Sequence, residues 1–303
     1  MRTTKPEPGH FALSSPSARP GVASFCILTC PSPRNTIAAS LSYAYAINSA
    51  GQVVGCADMS DSDLVPSHAF LWKQTGGMQD LGTLGNGSCA FAINDDGQVV
   101  GYSTVLTNDD NHAFIWSAST GMKDMGVPVS SNTFATSIND SGKAVGTYYD
   151  SATGYHAFLW TQNGGVQDLG NLGQPYATAG SINSYGEVVG RSEAKPNTTL
   201  GYLWTAQGGM RALPSPYKND ATANAVSSTG EIVGFSLNTK DSQRATVWLT
   251  PTSVHDLNEL TVNSPLILAM AYGVNSLGQI VGVGFDKSNS ALQHAFLATP
   301  KGK

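Results

Sequence analysis

The stretch HAFLWKQTGGMQDLG, residues 68–82, decides the fold because its parts return along the chain at a fixed distance. The five tryptophans stand at positions 72, 116, 160, 204 and 248, each 44 residues after the one before. A second phrase, first seen as AINSAGQVVG at 46–55, precedes each copy, so six units of about 45 residues fill 43–298. A period of this length is typical of a propeller or of a helical-hairpin array.

The content of one unit favours the propeller. AYAINSAGQVVGCA, residues 44–57, is two alternating apolar runs joined by N-x-x-G, where the glycine can supply the positive φ of a hairpin bulge. HAFLWKQTGGMQDLG is a second hairpin that turns at Gly76–Gly77. Four short strands without a helix make one propeller blade, so we predict an all-β, six-bladed β-propeller with four antiparallel strands per blade. In each blade we name the strands a, b, c and d in chain order. The predicted blades span about 43–85, 89–130, 134–173, 178–214, 222–260 and 270–298.

The two ends of the chain predict how the last blade is completed. The sixth unit stops after HAFLATP at 294–300 and therefore lacks its strand d. The run ASFCILT at 23–29 precedes the first unit and is strand-like, so we predict that it completes blade six and removes an exposed edge. Residues 1–20 are predicted to be a disordered tail, and 21–300 a single propeller.

Strand a is predicted to be the innermost strand, because one of its positions is always small. The reference point is the Ile or Val at the end of strand a, directly before the a–b turn. Three residues before it, every copy has alanine: Ala44, Ala90, Ala135, Ala179, Ala223 and Ala271. Six strands that converge on one axis leave no room for a larger side chain at such a position.

Composition excludes some classes of partner. Only 12% of the residues are charged, the net charge is −5, and there is no block of Lys or Arg. We therefore expect neither nucleic acid nor an anionic membrane as a partner. No apolar run reaches the roughly 18 residues of a membrane helix, and the first 30 residues contain no clear signal peptide. Oligomeric state and compartment stay open.

The four cysteines are Cys26, Cys30, Cys56 and Cys89. Their spacing fits neither a disulfide framework nor a zinc motif. A bond between Cys26 and Cys30 across a loop is the alternative.

Taken together, the IN..G.VVG, HAFLW and DLG phrases make the chain resemble the HAF-repeat proteins, which are named for the tripeptide at His68, His112, His156 and His294. The resemblance covers 43–298 and implies a repeat fold. Members of that family are generally regarded as extracellular or surface proteins, mostly without an assigned activity, so it implies little about function.

The variable segments of the repeat indicate where a site would lie. The a–b turns keep one form, whereas the b–c and d–a loops differ in every blade, and loops on a rigid frame commonly carry function. Two positions of strand a also vary. Two residues before the Ile/Val the copies have Tyr45, Phe91, Thr136, Gly180, Asn224 and Tyr272, and four before it Tyr43, Cys89, Phe134, Thr178, Thr222 and Met270.

These positions predict an axial pocket with an aromatic wall from blades six, one and two and a polar wall from blades three to five. The predicted ligand-binding residues are Tyr45, Phe91, Thr136, Asn224, Tyr272, Thr222 and Phe134. An apolar pocket with a few polar groups is the usual small-molecule site. The alternative is that the same side chains fill the axis or pack between blades.

No cofactor is predicted. The acidic b–c loops with Asp61, Asp63 and Asp109 contain oxygen ligands that could hold Ca²⁺, but their spacing fits no calcium loop and solvated loops are the simpler interpretation. The HAF histidines recur in several blades, which favours a structural role, bonding the loop backbone or a neighbouring blade, over metal ligation or catalysis. No histidine-based triad can be assembled from the sequence.

Two functional classes remain open. The first is a non-catalytic propeller that binds a small molecule, glycan or peptide. The second is a cofactor-independent lyase, cyclase or hydrolase in the same axial pocket, with Tyr45, Tyr272 and Tyr43 as candidate proton donors. We favour binding, because no activated nucleophile or base is recognisable.

Overall fold

The computed structural model of the chain describes residues 11–14, 41–58, 66–107, 109–128, 132–218 and 220–301. Six four-stranded antiparallel sheets make up this part of the chain. The protein is an all-β, six-bladed β-propeller, as the repeat predicts. The strands and the one short helix of the described residues are, in chain order, β1 (Phe11–Ser14), β2 (Ser42–Ile47), β3 (Val53–Ala57), β4 (His68–Lys73), β5 (Gly77–Asp80), β6 (Ser88–Ile93), β7 (Val99–Thr104), β8 (Asn111–Ser117), β9 (Gly121–Asp124), β10 (Thr133–Ile138), β11 (Ala144–Asp150), β12 (Gly154–Thr161), β13 (Gly165–Asp168), β14 (Ala177–Ile182), β15 (Val188–Lys195), β16 (Thr198–Thr205), β17 (Gly209–Ala212), β18 (Ala221–Val226), β19 (Ile232–Leu237), β20 (Gln243–Thr250), β21 (Ser253–Asp256), α1 (Leu257–Leu260), β22 (Leu266–Val274), β23 (Ile280–Asp286) and β24 (Gln293–Pro300).

Each of the first five blades uses four consecutive strands, from β2–β5 to β18–β21. The sixth sheet has the order β1-β24-β23-β22, so an N-terminal strand completes it, as predicted. The strand is a different one, however. Phe11 pairs with Pro300 and Ser14 with Leu297, within the segment predicted to be a disordered tail. The predicted closing run at 23–29 lies outside the described residues.

The chain divides into two compact units. One comprises residues 21–171 and 175–186 and contains blades one to three together with β14. The other comprises residues 1–20, 172–174 and 187–303. Each unit is described by itself below.

The first strand of a blade is interrupted by a β-bulge. In β6, Ala90 pairs with Gly101 and Ala92 with Val100, so Phe91 is the extra residue without a partner in the ladder. The same register shift occurs in β2, β10, β18 and β22. The bulge also explains the glycine of the VVG phrase, since a Cβ on Gly101 would lie 2.0 Å from the carbonyl oxygen of Cys89.

The a–b turns connect the blades to one another. Gly97 closes the second of these turns with φ +75°, which confirms the predicted role of the glycine. The turn asparagines form a chain in which Asn48 Nδ2 donates to the carbonyl of Asn94 (3.1 Å), Asn94 to that of Asn139 (3.0 Å) and Asn139 to that of Asn183 (2.9 Å). All four asparagines are buried, so each bond also satisfies a polar group that water cannot reach.

The hydrophobic core lies between neighbouring blades. Phe114 and Trp116 of blade two pack in one cluster with Val54 and Leu71 of blade one. The Trp160 indole Nε1 donates to the carbonyl of Met125, one blade earlier, at 2.9 Å. Trp116, Trp160 and Trp248 are therefore interblade core, whereas Trp72 is partly buried and packs within its own blade. Burying large apolar side chains supplies about 1.5–3 kcal/mol each.

One disulfide bond joins Cys56 on β3 to Cys89 on β6. The prediction that the cysteine spacing fits no disulfide was therefore wrong for this pair, whereas Cys26 and Cys30 lie outside the described residues. The bond links blade one to blade two. Within the described residues, none of the helical structure has the length and apolar character needed to cross a membrane.

Candidate functional site

Five aromatic side chains form a continuous row across blades one to three. We call this set the aromatic row; its members are Tyr43, Tyr45, Phe91, Tyr102 and Phe134. Successive ring centroids are 6.5, 5.3, 5.6 and 5.3 Å apart. The Tyr45–Phe91 and Tyr102–Phe134 contacts are edge-to-face, the geometry that aromatic quadrupoles favour.

The first strands of the blades place this row. Tyr45 and Phe91 are the bulged residues of β2 and β6, and a bulge re-aims a side chain without changing the register of the rest of the strand. Tyr43 and Tyr45 are 52% and 53% exposed, whereas Phe91 and Phe134 are half-buried. One end of the row is therefore open to a ligand, and the other end is held by packing.

The disulfide lies beside the row. Tyr43 pairs with Cys56 across β2 and β3, and Tyr102 pairs with Cys89 across β6 and β7. The covalent bond between the two cysteines thus fixes the interface between blades one and two next to these two tyrosines.

Tyr102 is the member of the row that the sequence did not indicate. It follows the VVG phrase directly, at the position where the predicted b–c loop of blade two begins. Burial raises the pKa of the Tyr102 phenol above its usual range, and the neighbouring Tyr45 adds to the effect. Tyr102 therefore stays neutral over the physiological range. A period-two pattern carried past Gly101 would have found it.

Two of the three polar members of the predicted site bond to the backbone of the next blade. Thr136 Oγ1 donates to the carbonyl of Ala179 at 2.9 Å, and Asn224 Nδ2 donates to the carbonyl of Ala271 at 2.8 Å. Both acceptors are the repeated alanines of strand a. These groups therefore have a structural role, and a role in orienting a ligand stays a prediction.

The predicted residues are divided between the two units. Tyr43, Tyr45, Phe91, Phe134 and Thr136 belong to the first, and the structure brings the four aromatic ones together. Thr222, Asn224 and Tyr272 belong to the second. Thr222 is half-buried, and Tyr272 is 51% exposed with its hydroxyl 3.7 Å from the Met270 sulfur.

The HAF histidines of blades one to three each bind the aspartate of the DLG or DMG phrase in their own blade. The Nδ1–carboxylate distances are 3.0 Å for His68–Asp80, 2.6 Å for His112–Asp124 and 2.9 Å for His156–Asp168. The other oxygen of each aspartate accepts from the backbone N–H of the glycine two residues later. The histidines are structural ties, but the expected partner was wrong: each binds a carboxylate of its own blade and not the loop backbone or a neighbouring blade.

The tie differs in the later blades: blade four lacks both of its residues, whereas blade five keeps the aspartate and replaces only the histidine. Blade four has Leu200 and Ala212 in their places, and blade five has Arg244 with its Nε 3.9 Å from Asp256. Loss of both partners in one blade is what a scaffold role predicts, because a single remaining aspartate would lose its hydrogen-bond donor.

Metal ligands do not cluster in the described residues, where no group of three His, Cys, Asp or Glu side chains could hold an ion. Asp61 and Asp63 lie outside them, and Asp109 is an exposed turn residue with φ +57°. Calcium binding at these loops stays a prediction. The second unit also contains an open groove of about 560 Å³ between strands of blade four and the c–d turn of blade five, lined by Leu203, Arg211 and Pro251 among others.

The family is shown by a sequence match. A family model described as "Protein of unknown function (DUF3466)" matches residues 78–294, more than half of the chain. The chain belongs to this family. The repeat fold that the HAF-repeat resemblance implied is confirmed, whereas the family that the match shows is DUF3466 and its description does not refer to HAF repeats. None of the curated proteins matches the chain significantly.

Solved structures share the fold at low sequence identity. The β-propeller domain of the trilobed protease from Pyrococcus furiosus, described as having an open velcro topology, matches with a TM-score of 0.57 and 11% identity over 88% of this chain and 84% of that one. TolB from Acinetobacter baumannii matches with a TM-score of 0.51 and 10% identity over 83% of this chain, which spans only 64% of TolB. The fucose-specific lectin from Aleuria aurantia matches with a TM-score of 0.42 and 12% identity over 86% of this chain and 95% of that one. These matches concern the fold alone.

Proposed function

We propose that this DUF3466 protein is a binding propeller whose aromatic row holds a small, partly apolar ligand with a flat face. The observation that carries the proposal is the row itself, in which five rings are in contact and the two tyrosines at one end are half exposed. Rings of this kind supply large apolar contact area, and tyrosine adds a polar edge. A sugar ring with an apolar face or a planar aromatic group fits this chemistry.

The electrostatics of Tyr102 favour binding over acid–base catalysis at the row. A general acid or base works best when its pKa lies near the operating pH, and burial moves the Tyr102 pKa in the opposite direction.

The alternative is a cofactor-independent enzyme that uses exposed tyrosines as proton donors. The exposure of Tyr43, Tyr45 and Tyr272 is the observation in its favour, because a donor must reach its substrate. The axial pocket predicted from the sequence needs residues of both units and stays a prediction.

Paired substitutions at Tyr45 separate the two functions. Binding of p-nitrophenyl β-D-glucoside, which combines a sugar and an aromatic ring, is measured by saturation-transfer NMR and calorimetry. Tyr45→Ala removes the ring and is expected to weaken binding about tenfold, whereas Tyr45→Phe keeps the ring and should bind within about twofold of wild type. Tyr185→Ala, at a 78% exposed tyrosine outside the row, is the matched control. Equal affinity of wild type and Tyr45→Ala would contradict the proposal, and loss of binding in Tyr45→Phe would favour the hydroxyl-dependent enzyme.

The disulfide between Cys56 and Cys89 favours an oxidising compartment, which the sequence alone left open. Such bonds persist mainly in secreted, periplasmic and surface proteins. Cys56 and Cys89 are both buried, so their bond is part of the packed interface between blades one and two.

A further inference from the structure

Blade three contains a hydrogen-bonded chain of three side chains that extends the repeated tie. His156 Nδ1 lies 2.9 Å from Asp168 Oδ2, as in the other ties, but His156 Nε2 also lies 2.9 Å from Thr153 Oγ1. Among the residues that the structure describes, His68 and His112 have no such hydroxyl on Nε2. A carboxylate only accepts, so neutral His156 has its proton on Nδ1 and offers Nε2 as the acceptor for the threonine hydroxyl.

The turn that carries Thr153 is held in place from both sides. Asp150 Oδ1 accepts from the backbone N–H of Ala152 at 2.7 Å. Gly154 follows with φ +94°, and a Cβ there would lie 2.4 Å from the carbonyl oxygen of Pro175. The backbone of the turn is therefore constrained at Thr153, and the hydrogen bond to His156 Nε2 orients its hydroxyl.

The imidazole and the carboxylate are also oriented. The Tyr148 ring stacks on His156 with a centroid distance of 4.8 Å and an interplanar angle of 6°. Its hydroxyl donates to Asp168 Oδ2 at 2.7 Å, and Gly170 N–H donates to Asp168 Oδ1 at 2.6 Å. Thr153 is exposed at the surface, so a substrate reaches the hydroxyl directly.

We propose that Thr153 is a nucleophile activated by His156 and Asp168, and that it accepts the acyl group of small carboxylic esters. Hydroxyl, imidazole and carboxylate linked in this order are the arrangement of an activated nucleophile. The Thr153 oxygen forms a bond to the ester carbonyl carbon while its proton passes to His156 Nε2. The bond to the leaving alcohol then breaks, and the alcohol takes that proton. Water hydrolyses the acyl-threonine with His156 again as base, which regenerates the hydroxyl and releases the acid. This site does not depend on the aromatic row.

In the experiment, the full chain is mixed with p-nitrophenyl acetate. The release of p-nitrophenol gives the rate, and peptide mass spectrometry locates the acetyl group on the protein. The wild type is expected to carry acetyl on Thr153 after rapid mixing. Thr153→Val, which keeps the shape and loses the hydroxyl, and His156→Gln should each lower the rate about 100-fold or more. Thr153→Ser should restore both the rate and the label.

Two comparisons make the result decisive. His112→Gln removes the corresponding tie of blade two and should leave the rate unchanged; an equal loss there would show general surface-imidazole catalysis and overturn the proposal. Thr153→Val reacting as fast as the wild type would overturn it as well. The Thr153→Val and Thr153→Ser pair changes only an exposed turn residue, so the test stands even if His156→Gln destabilises the blade.

Discussion

Tyr202 allows a direct test of the packing within the second unit, because it is a natural exception to the repeat. It stands in blade four where the HAF phrase has phenylalanine in other blades, at Phe70, Phe114, Phe158 and Phe296. The side chain is 0% exposed, and its hydroxyl has no hydrogen-bond partner in the described residues. We expect Tyr202→Phe to stabilise the protein.

The magnitude follows from the buried hydroxyl. A buried donor without a partner costs about 1–3 kcal/mol, which the phenylalanine variant avoids. The void left by one oxygen, about 10 Å³, costs only about 0.2 kcal/mol at ~24 cal/mol per Å³. The free energy of unfolding should therefore rise by about 1–3 kcal/mol, and the urea midpoint should rise at an unchanged slope.

Urea denaturation followed by tryptophan fluorescence measures this change. Tyr148→Phe is the matched control, because its hydroxyl donates to Asp168 at 2.7 Å, and its removal should lower the free energy of unfolding by about 0.5–1.5 kcal/mol. If Tyr202→Phe destabilises the protein by as much as the control does, the hydroxyl has a buried partner such as a water molecule. The reasoning from the unsatisfied group would then be refuted.

Three further predictions concern blades one to three. Replacing both Cys56 and Cys89 by alanine should lower the free energy of unfolding by about 4 kcal/mol, because the bond closes a loop of 33 residues and so reduces the entropy of the unfolded chain. Equal denaturation midpoints for the oxidised and the reduced wild type would contradict this. Asn94→Asp removes the donor to the carbonyl of Asn139 and should cost about 2–3 kcal/mol at neutral pH, with part of the loss recovered in acid, where the protonated carboxyl can donate; a loss independent of pH would argue against this bond. Because the pKa of Tyr102 is raised in the folded state, its contribution to stability is complete below the unfolded pKa of about 10 and is lost as the pH rises above that value. Between pH 9 and 11, the free energy of unfolding should therefore fall less in Tyr102→Phe than in the wild type. An identical fall in both proteins would refute the assignment.

The fold was predictable because the informative residues repeat. The hairpin glycines, the small alanines of strand a and the spaced tryptophans recur from blade to blade. A residue that matches the pattern by chance in one blade therefore does not change the prediction. The strand that completes blade six was harder to place. Residues 11–14 and 23–29 are both short strand-like runs. The partner strand lies at the other end of the chain, at residues 293–300, so the local sequence does not tell which of the two runs pairs with it.

The site was predictable only in part. Tyr45 and Phe91 stand out because they interrupt a small-residue pattern, but the bulge that directs them breaks the period-two alternation from which their direction would be inferred. Cys56 and Cys89 meet only because consecutive blades stack, which their sequence spacing does not reveal. Thr153 reaches His156 through a turn found in blade three, so the repeat itself contains no sign of it.

The β-bulge also has a consequence for how such a protein can evolve. The extra residue of strand a takes no part in the ladder, so its identity can change without altering the strand register or the backbone hydrogen bonds within the blade. After duplication of a blade, this position is therefore free to diverge, whereas the glycine opposite the bulge is not, because any side chain there would meet the backbone. Phenylalanine, threonine, asparagine and tyrosine at this one position show how far copies of the same unit have separated.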